Sequence, residues 1–177
     1  NAQRIQLHNG LKPSTAQEID KSLLDFSIEM ETGTGKTYVY LRTIMEMNRK
    51  YGFTKFIIVV PSIPIKEGVN KTLEITEKHF REHYEGINYK YFVYNSGELS
   101  NVRDFAVNDQ LQIMVINIQA FNKDLESVSK KSGRILLDYN DKLGYTPINL
   151  IQNCKPIVIV DEPQSTISSD LAMKSVK

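Results

Sequence analysis

Residues 25–44 read DFSIEMETGTGKTYVYLRTI. Three kinds of pattern follow one another in this stretch. Residues 25–30 read as a strand, 31–37 form a tight Gly-rich turn, and 36–50 place Val39, Ile44 and Met47 among polar neighbours as a helix does. A glycine loop between a strand and a helix is the setting of a phosphate cradle. Gly33 and Gly35 let the backbone curl so that its N–H groups converge on phosphate oxygens. The helix N-terminus adds the positive end of its dipole. Lys36 has the reach for outer phosphates, and the Thr37 hydroxyl suits a Mg²⁺ shell. The strict pattern sets a glycine five residues before Gly35, where this chain carries Met30.

Outward from the loop, apolar runs alternate with helical patterns. KFIIVVP (55–61) is nearly continuous and stops at a proline, as suits a strand buried on both faces. Residues 64–84 read as a helix, 89–94 (YKYFVY) as a strand, 97–107 as a short helix and 111–118 (LQIMVINI) as a strand. Thr146–Asn153 reads as a helix capped by Thr146 with Pro147 first inside it. PIVIVDE (156–162) is a fifth strand. Residues 122–145 carry no clear period. Such alternation predicts an α/β fold, mainly parallel, with helices on both faces of the sheet. Ligands in such sheets bind beyond the carboxyl ends of the strands.

The fifth strand runs into Asp161 and Glu162. Two carboxylates at the end of an apolar strand, three strands after the phosphate loop, suit a nucleotide-hydrolysing core. Asp161 is expected to hold the metal, and Glu162 to orient or deprotonate the attacking water. Adjacent residues on a strand face opposite ways, so the strand must end there for both to serve one site; Pro163, lacking an N–H, favours that ending.

TGTGKT, FIIVVPS, INIQAFNKD and PIVIVDEPQS together resemble the Res subunit of type III restriction–modification enzymes, within the superfamily 2 helicase-like ATPases. The DEPQ form is the most specific part, and the resemblance runs from about 25 to 166. It implies a RecA-like three-layer domain, ATP and Mg²⁺ as ligands, and nucleotide contacts at Thr32, Gly33, Thr34, Gly35, Lys36, Thr37 and Gln164. It implies catalytic roles for Lys36 and Glu162, and metal binding by Thr37 and Asp161. Pro61, Ser62, Asn117, Gln119 and Phe121 fall where relatives touch the nucleic-acid backbone; Ser, Asn and Gln at strand ends either donate to phosphates or merely terminate strands. Double-stranded DNA and a Mod methyltransferase are the implied partners, and DNA cleavage coupled to ATP hydrolysis the implied activity of the parent. Two alternatives stay open: another superfamily 2 DNA or RNA helicase, and a nucleotide-binding regulatory module that does not act on DNA.

The remaining features bound this reading. The chain has 177 residues, with 22 Lys and Arg against 21 Asp and Glu, so any nucleic-acid contact comes from local groups and not from net charge. The longest apolar run, 56–60, is far short of a membrane span. A single cysteine, Cys154, excludes an internal disulfide. Cytoplasmic placement is expected. His79-Phe-Arg-Glu82-His83 matches an inverted zinc-peptidase motif, but a solvated helix tail accounts for it better. Lys130, Lys131 and Arg134 read as a solvated basic loop. Residues 1–24 are expected to be an incomplete lead-in, with a turn at Asn9-Gly10. Residues 25–177 are expected to be a first RecA-like domain cut before motif III, since the chain lacks an initial Met and stops within a helical pattern.

Overall fold

A computed structural model describes residues 2–17, 26–121 and 146–166. The chain divides into two compact units, Asn1–Lys36 and Thr37–Lys177.

The first unit opens with α1 (Ala2–His8). The Asn9 N–H donates to Ile5 O, and Gly10 turns the chain at φ 69°. Gln6 then grips Ser14 from both sides: its amide donates to Ser14 Oγ at 2.9 Å, and its Oε1 accepts from the Ser14 N–H at 2.9 Å. Ile5 and Leu7 stand two residues apart and both remain exposed. That spacing hides α1 from a search for helical periodicity.

Residues 26–30 correct an expectation: they form no strand. Phe26 is 64% and Ile28 75% exposed. Their alternation with Ser27 and Glu29 makes only one face apolar. A strand of that pattern needs a covering layer over that face, and theirs is open.

The second unit is built on a sheet of four parallel strands. They are β1 (Lys55–Val60), β2 (Tyr89–Val93), β3 (Leu111–Asn117) and β4 (Ile157–Val160), in the order β2-β3-β1-β4. The central strands β1 and β3 have no polar face to spare, so both faces must be covered. Phe56, Ile58, Val60, Ile113 and Val115 face α2 (Lys36–Tyr51) and α3 (Ile63–His83), which bring Leu41, Ile44, Met45, Val69, Leu73 and Phe80. The alternate residues Ile57, Val59, Met114 and Ile116 meet Val102 and Phe105 of α4 (Leu99–Val107) and Ile151 of α5 (Pro147–Asn153). The two clusters lie on opposite sides of the sheet, as the period of two requires. The result is a three-layer, RecA-like α/β domain.

Local chemistry sets the ends of the elements. Gln112 is buried within β3, and its amide is satisfied by Asp104 of α4 at 3.1 Å. Thr146 Oγ1 accepts from the Asn149 N–H at 3.3 Å, and Pro147 heads α5, as expected. Strand β4 is shorter than its sequence run: it stops at Val160 because Glu162 turns to φ 50° and Pro163 opens the four-residue helix α6 (Pro163–Thr166). Among the described residues, no helix is long and apolar enough to cross a membrane.

Candidate nucleotide site

The phosphate loop, within the first unit, is an exposed turn over 32–34. Thr34 closes it by donating its hydroxyl to Glu31 O at 2.6 Å. Gly33 and Gly35 take φ 80° and 87°, a region closed to most side chains. A Cβ at either would meet nothing within 4 Å, so conformation and not crowding calls for glycine, and the space over the loop is open. Lys36 ends the loop and heads α2; its Nζ donates to Met30 O at 3.4 Å. The first N–H groups of a helix have no intrahelical acceptor and suit an anion.

In the second unit the carboxyl edge of the sheet carries the acidic turn. The Asp161 N–H donates to Val59 O at 2.9 Å, which locks this backbone to β1 after β4 has formally ended. Glu162 follows in the left-handed region, a conformation that costs a non-glycine residue about 1–2 kcal/mol. Strain of this kind collects where a chain holds a side chain for chemistry. It also breaks the strict alternation that would send Asp161 and Glu162 to opposite faces. Both are half-buried, and Gln164 is exposed on α6.

Tyr40 of α2 reaches the acidic turn, and the sequence reading overlooked it. Its hydroxyl donates to Asp161 Oδ2 at 3.3 Å. Burial pushes the phenol's pKa well above its ordinary value; the nearby Thr37 hydroxyl pulls it back in part, and the Asp161 charge adds to the rise. The group is therefore a protonated donor across the physiological range. Thr37 and Tyr40 are three residues apart on one helix, so helical spacing alone puts them on one face. The Tyr40 bond thus ties the helix that Lys36 and Thr37 open to the acidic turn.

At the ends of β1 and β3, Val60 and Asn117 are partners in register, so the segments that follow leave the sheet side by side. Pro61 and Ser62 lead into α3, where Ser62 is the N-cap residue but makes no side-chain capping bond. Asn117 Oδ1 accepts the Gln119 N–H at 2.8 Å, and among the described residues its buried Nδ2 has no acceptor. Gln119 is exposed in the 3₁₀ turn Ile118–Phe121.

Elsewhere, His79 and His83 stack at 5.9 Å on α3, and His79 Nε2 lies 2.9 Å from Tyr38 Oη of α2. Cys154 donates to Leu150 O at 3.0 Å. The basic loop at Lys130, Lys131 and Arg134 lies outside the described residues.

A parallel sheet with a glycine loop heading one helix and an acidic turn at the end of β4 has the form of a helicase-type domain. The family model described as "Type III restriction enzyme, res subunit" matches residues 8–170, and the chain belongs to this family. It is 31% identical over 174 residues to the Type III restriction-modification enzyme EcoP15I Res subunit of Escherichia coli, covering 92% of this chain and 18% of that protein. It is 35% identical over 164 residues to the StyLTI Res subunit of Salmonella typhimurium, covering 81% of this chain and 16% of that protein. The EcoPI Res subunit of Escherichia phage P1 is 29% identical over 174 residues, with 92% of this chain and 18% of that protein covered. The chain thus spans under a fifth of the length of these relatives. No solved structure matches it.

Proposed function

We propose that this chain is the ATP-binding motor part of a type III restriction endonuclease, and that its parent couples ATP hydrolysis on double-stranded DNA to DNA cleavage. The Tyr40–Asp161 hydrogen bond carries the reading, because it ties the helix that Lys36 and Thr37 open to the acidic turn. Residues 25–177 are assigned to the first RecA-like domain and 1–24 to its lead-in.

In this account the amides of residues 33–37 cradle the phosphates, with Thr32 and Thr34 flanking them and Lys36 at the outer phosphate. Thr37 and Asp161 hold Mg²⁺, which when bound neutralises charge on the phosphate oxygens. Glu162 orients the attacking water and takes its proton. Gln164 contacts the nucleotide from α6. Ser62, whose side chain makes no capping bond, and Asn117 stand at neighbouring strand ends and contact the DNA backbone beside Pro61 and Gln119. A Mod methyltransferase subunit is the proposed protein partner and the cytoplasm the proposed compartment.

The test is ATP hydrolysis by the intact protein with DNA. Lys36→Ala removes a charge aimed at the transferring phosphate, and turnover should fall by about 10³-fold or more. Turnover like the wild type in that variant contradicts the assignment.

A further inference from the structure

The outer face of α2 carries two rows of side chains at four-residue spacing. Val39, Thr43, Met47 and Tyr51 form one row. Tyr38, Arg42, Glu46 and Lys50 form the other, and the two line an open groove of about 370 Å³. The first row is apolar throughout, because the Thr43 hydroxyl is turned back onto Val39 O at 2.9 Å. Val39 is 38% and Tyr51 71% exposed, and the exposed Phe53 ring, 6.4 Å from that of Tyr51, extends the row past the helix end. The second row is cationic. Its one carboxylate, Glu46, is already held by Arg49 at 2.9 Å, by Lys50 at 3.0 Å and by the Tyr84 hydroxyl at 3.0 Å. Arg42 is exposed; its charge acts on the neighbouring Tyr84 phenol, but among the described residues it forms no ion pair. Three cations, Arg42, Arg49 and Lys50, thus stand against one anion, in a chain whose charges otherwise nearly balance.

We propose that an amphipathic helix with an acidic flank covers this face, and that the parent's own chain supplies it from outside residues 1–177. Rows at four-residue spacing are the ridges and grooves into which a second helix sets its own side chains. The apolar side of that helix rests on the Val39–Tyr51 row, and its carboxylates meet Arg42 and Lys50. Other occupants fit worse. A second copy of this face would set cation against cation across a two-fold axis. A nucleic acid would meet Arg42 and Lys50 with its phosphates and leave Val39 and Met47 uncovered. Bases also need an open ring to stack on, and the Tyr38 ring is already stacked on Phe80 at 5.4 Å. A stable complex with a separate protein buries about 1,200–2,000 Å², which one ridge about 18 Å long does not supply. A tethered helix meets no such demand, since its linker sets its effective concentration. This chain matches 16–18% of each relative, so a parent of their length has ample chain for it. From the functional reading above the proposal takes only that the parent is longer than this chain.

Two variants of the intact protein test this, Thr43→p-benzoylphenylalanine and Tyr51→p-benzoylphenylalanine. Both positions line the groove and are exposed, so each carries the photoactivatable ring without disturbing the core. Irradiation followed by mass spectrometry identifies what each position touches. ATP turnover is not read here, so the nucleotide assignment stands or falls on Lys36→Ala alone. The expected product has the mass of a single chain and joins α2 to an acidic segment of helical pattern outside residues 1–177. Adding Arg42→Glu should lower its yield about threefold or more, because the carboxylates then meet a like charge. Arg103→Glu, exposed on α4 in the opposite layer, should leave the yield unchanged. A product of two chains, a link to DNA or to another protein, links only within residues 1–177, or no product from either position each overturns the proposal. A yield indifferent to Arg42→Glu overturns it as well.

Discussion

The two segments that hold the candidate motifs, 26–36 and 157–162, are both read from sequence as strands and differ in structure. Each reads as a strand pattern that ends in a turn bearing candidate side chains. In the second, Ile157, Val158, Ile159 and Val160 are all β-branched, and they pair with Phe56 through Val59 of β1. Ile157 and Ile159 pack into one core cluster and Val158 into the other. In the first, Phe26 and Ile28 alternate with Ser27 and Glu29, and both aliphatic and aromatic side chains stay exposed. A run that is apolar on both faces forms its strand wherever two layers of helices cover it. A run apolar on one face depends on what covers that face. The turns that follow are nonetheless alike: Gly33, Gly35 and Glu162 all adopt positive φ, so the same backbone device serves both motifs.

Stability measurements can break this comparison. Ile159→Ala removes a partly buried branched side chain from β4 and should cost about 1–3 kcal/mol in denaturant unfolding. Ile28→Ala should change stability by no more than about 0.5 kcal/mol, as for an exposed position. An equal loss at both sites would show that residues 26–30 are buried as a strand in solution.

The shared left-handed turns give a smaller and opposite pair of effects. Glu162→Gly relieves a non-glycine residue at φ 50° and should stabilise the protein by about 1 kcal/mol. Gly35→Ala imposes that strain where φ is 87° and should destabilise it by about 1 kcal/mol, since an added Cβ meets open space and nothing else changes. The sign reversal sharpens the claim that Glu162 is held in strain for its chemistry. A destabilising Glu162→Gly would place that residue's value in structure instead.

Much of the fold was legible because its strongest signals are local. The β1 and β3 runs are too apolar and too short to be anything but buried strands, and Thr146-Pro147 announced α5 through its cap. The strand expected at 25–30 failed because a one-faced pattern carries no information about its cover. The helix α1 was invisible because Ile5 and Leu7 lack helical spacing and the Gln6–Ser14 bonds that hold its end are side-chain contacts across eight residues. At the candidate site, the glycines, Lys36, Thr37 and the carboxylates announced themselves as motifs. Tyr40 did not, because its bond to Asp161 arises only when α2 packs against the end of β4. One turn of helix separates it from Lys36 and Thr37, and that spacing was the one signal on offer.

The account's central claim is a division of labour within the acidic turn, between a metal carboxylate and a water-orienting one. It is tested most directly by measuring ATP binding and ATP turnover side by side on Asp161→Asn and Glu162→Gln in the intact protein. Asp161→Asn should lose Mg²⁺-dependent ATP binding together with turnover. Glu162→Gln should bind ATP as wild type does while turnover falls by about 10²–10⁴. Loss of ATP binding in Glu162→Gln, with turnover retained in Asp161→Asn, would contradict the account and reverse the two roles.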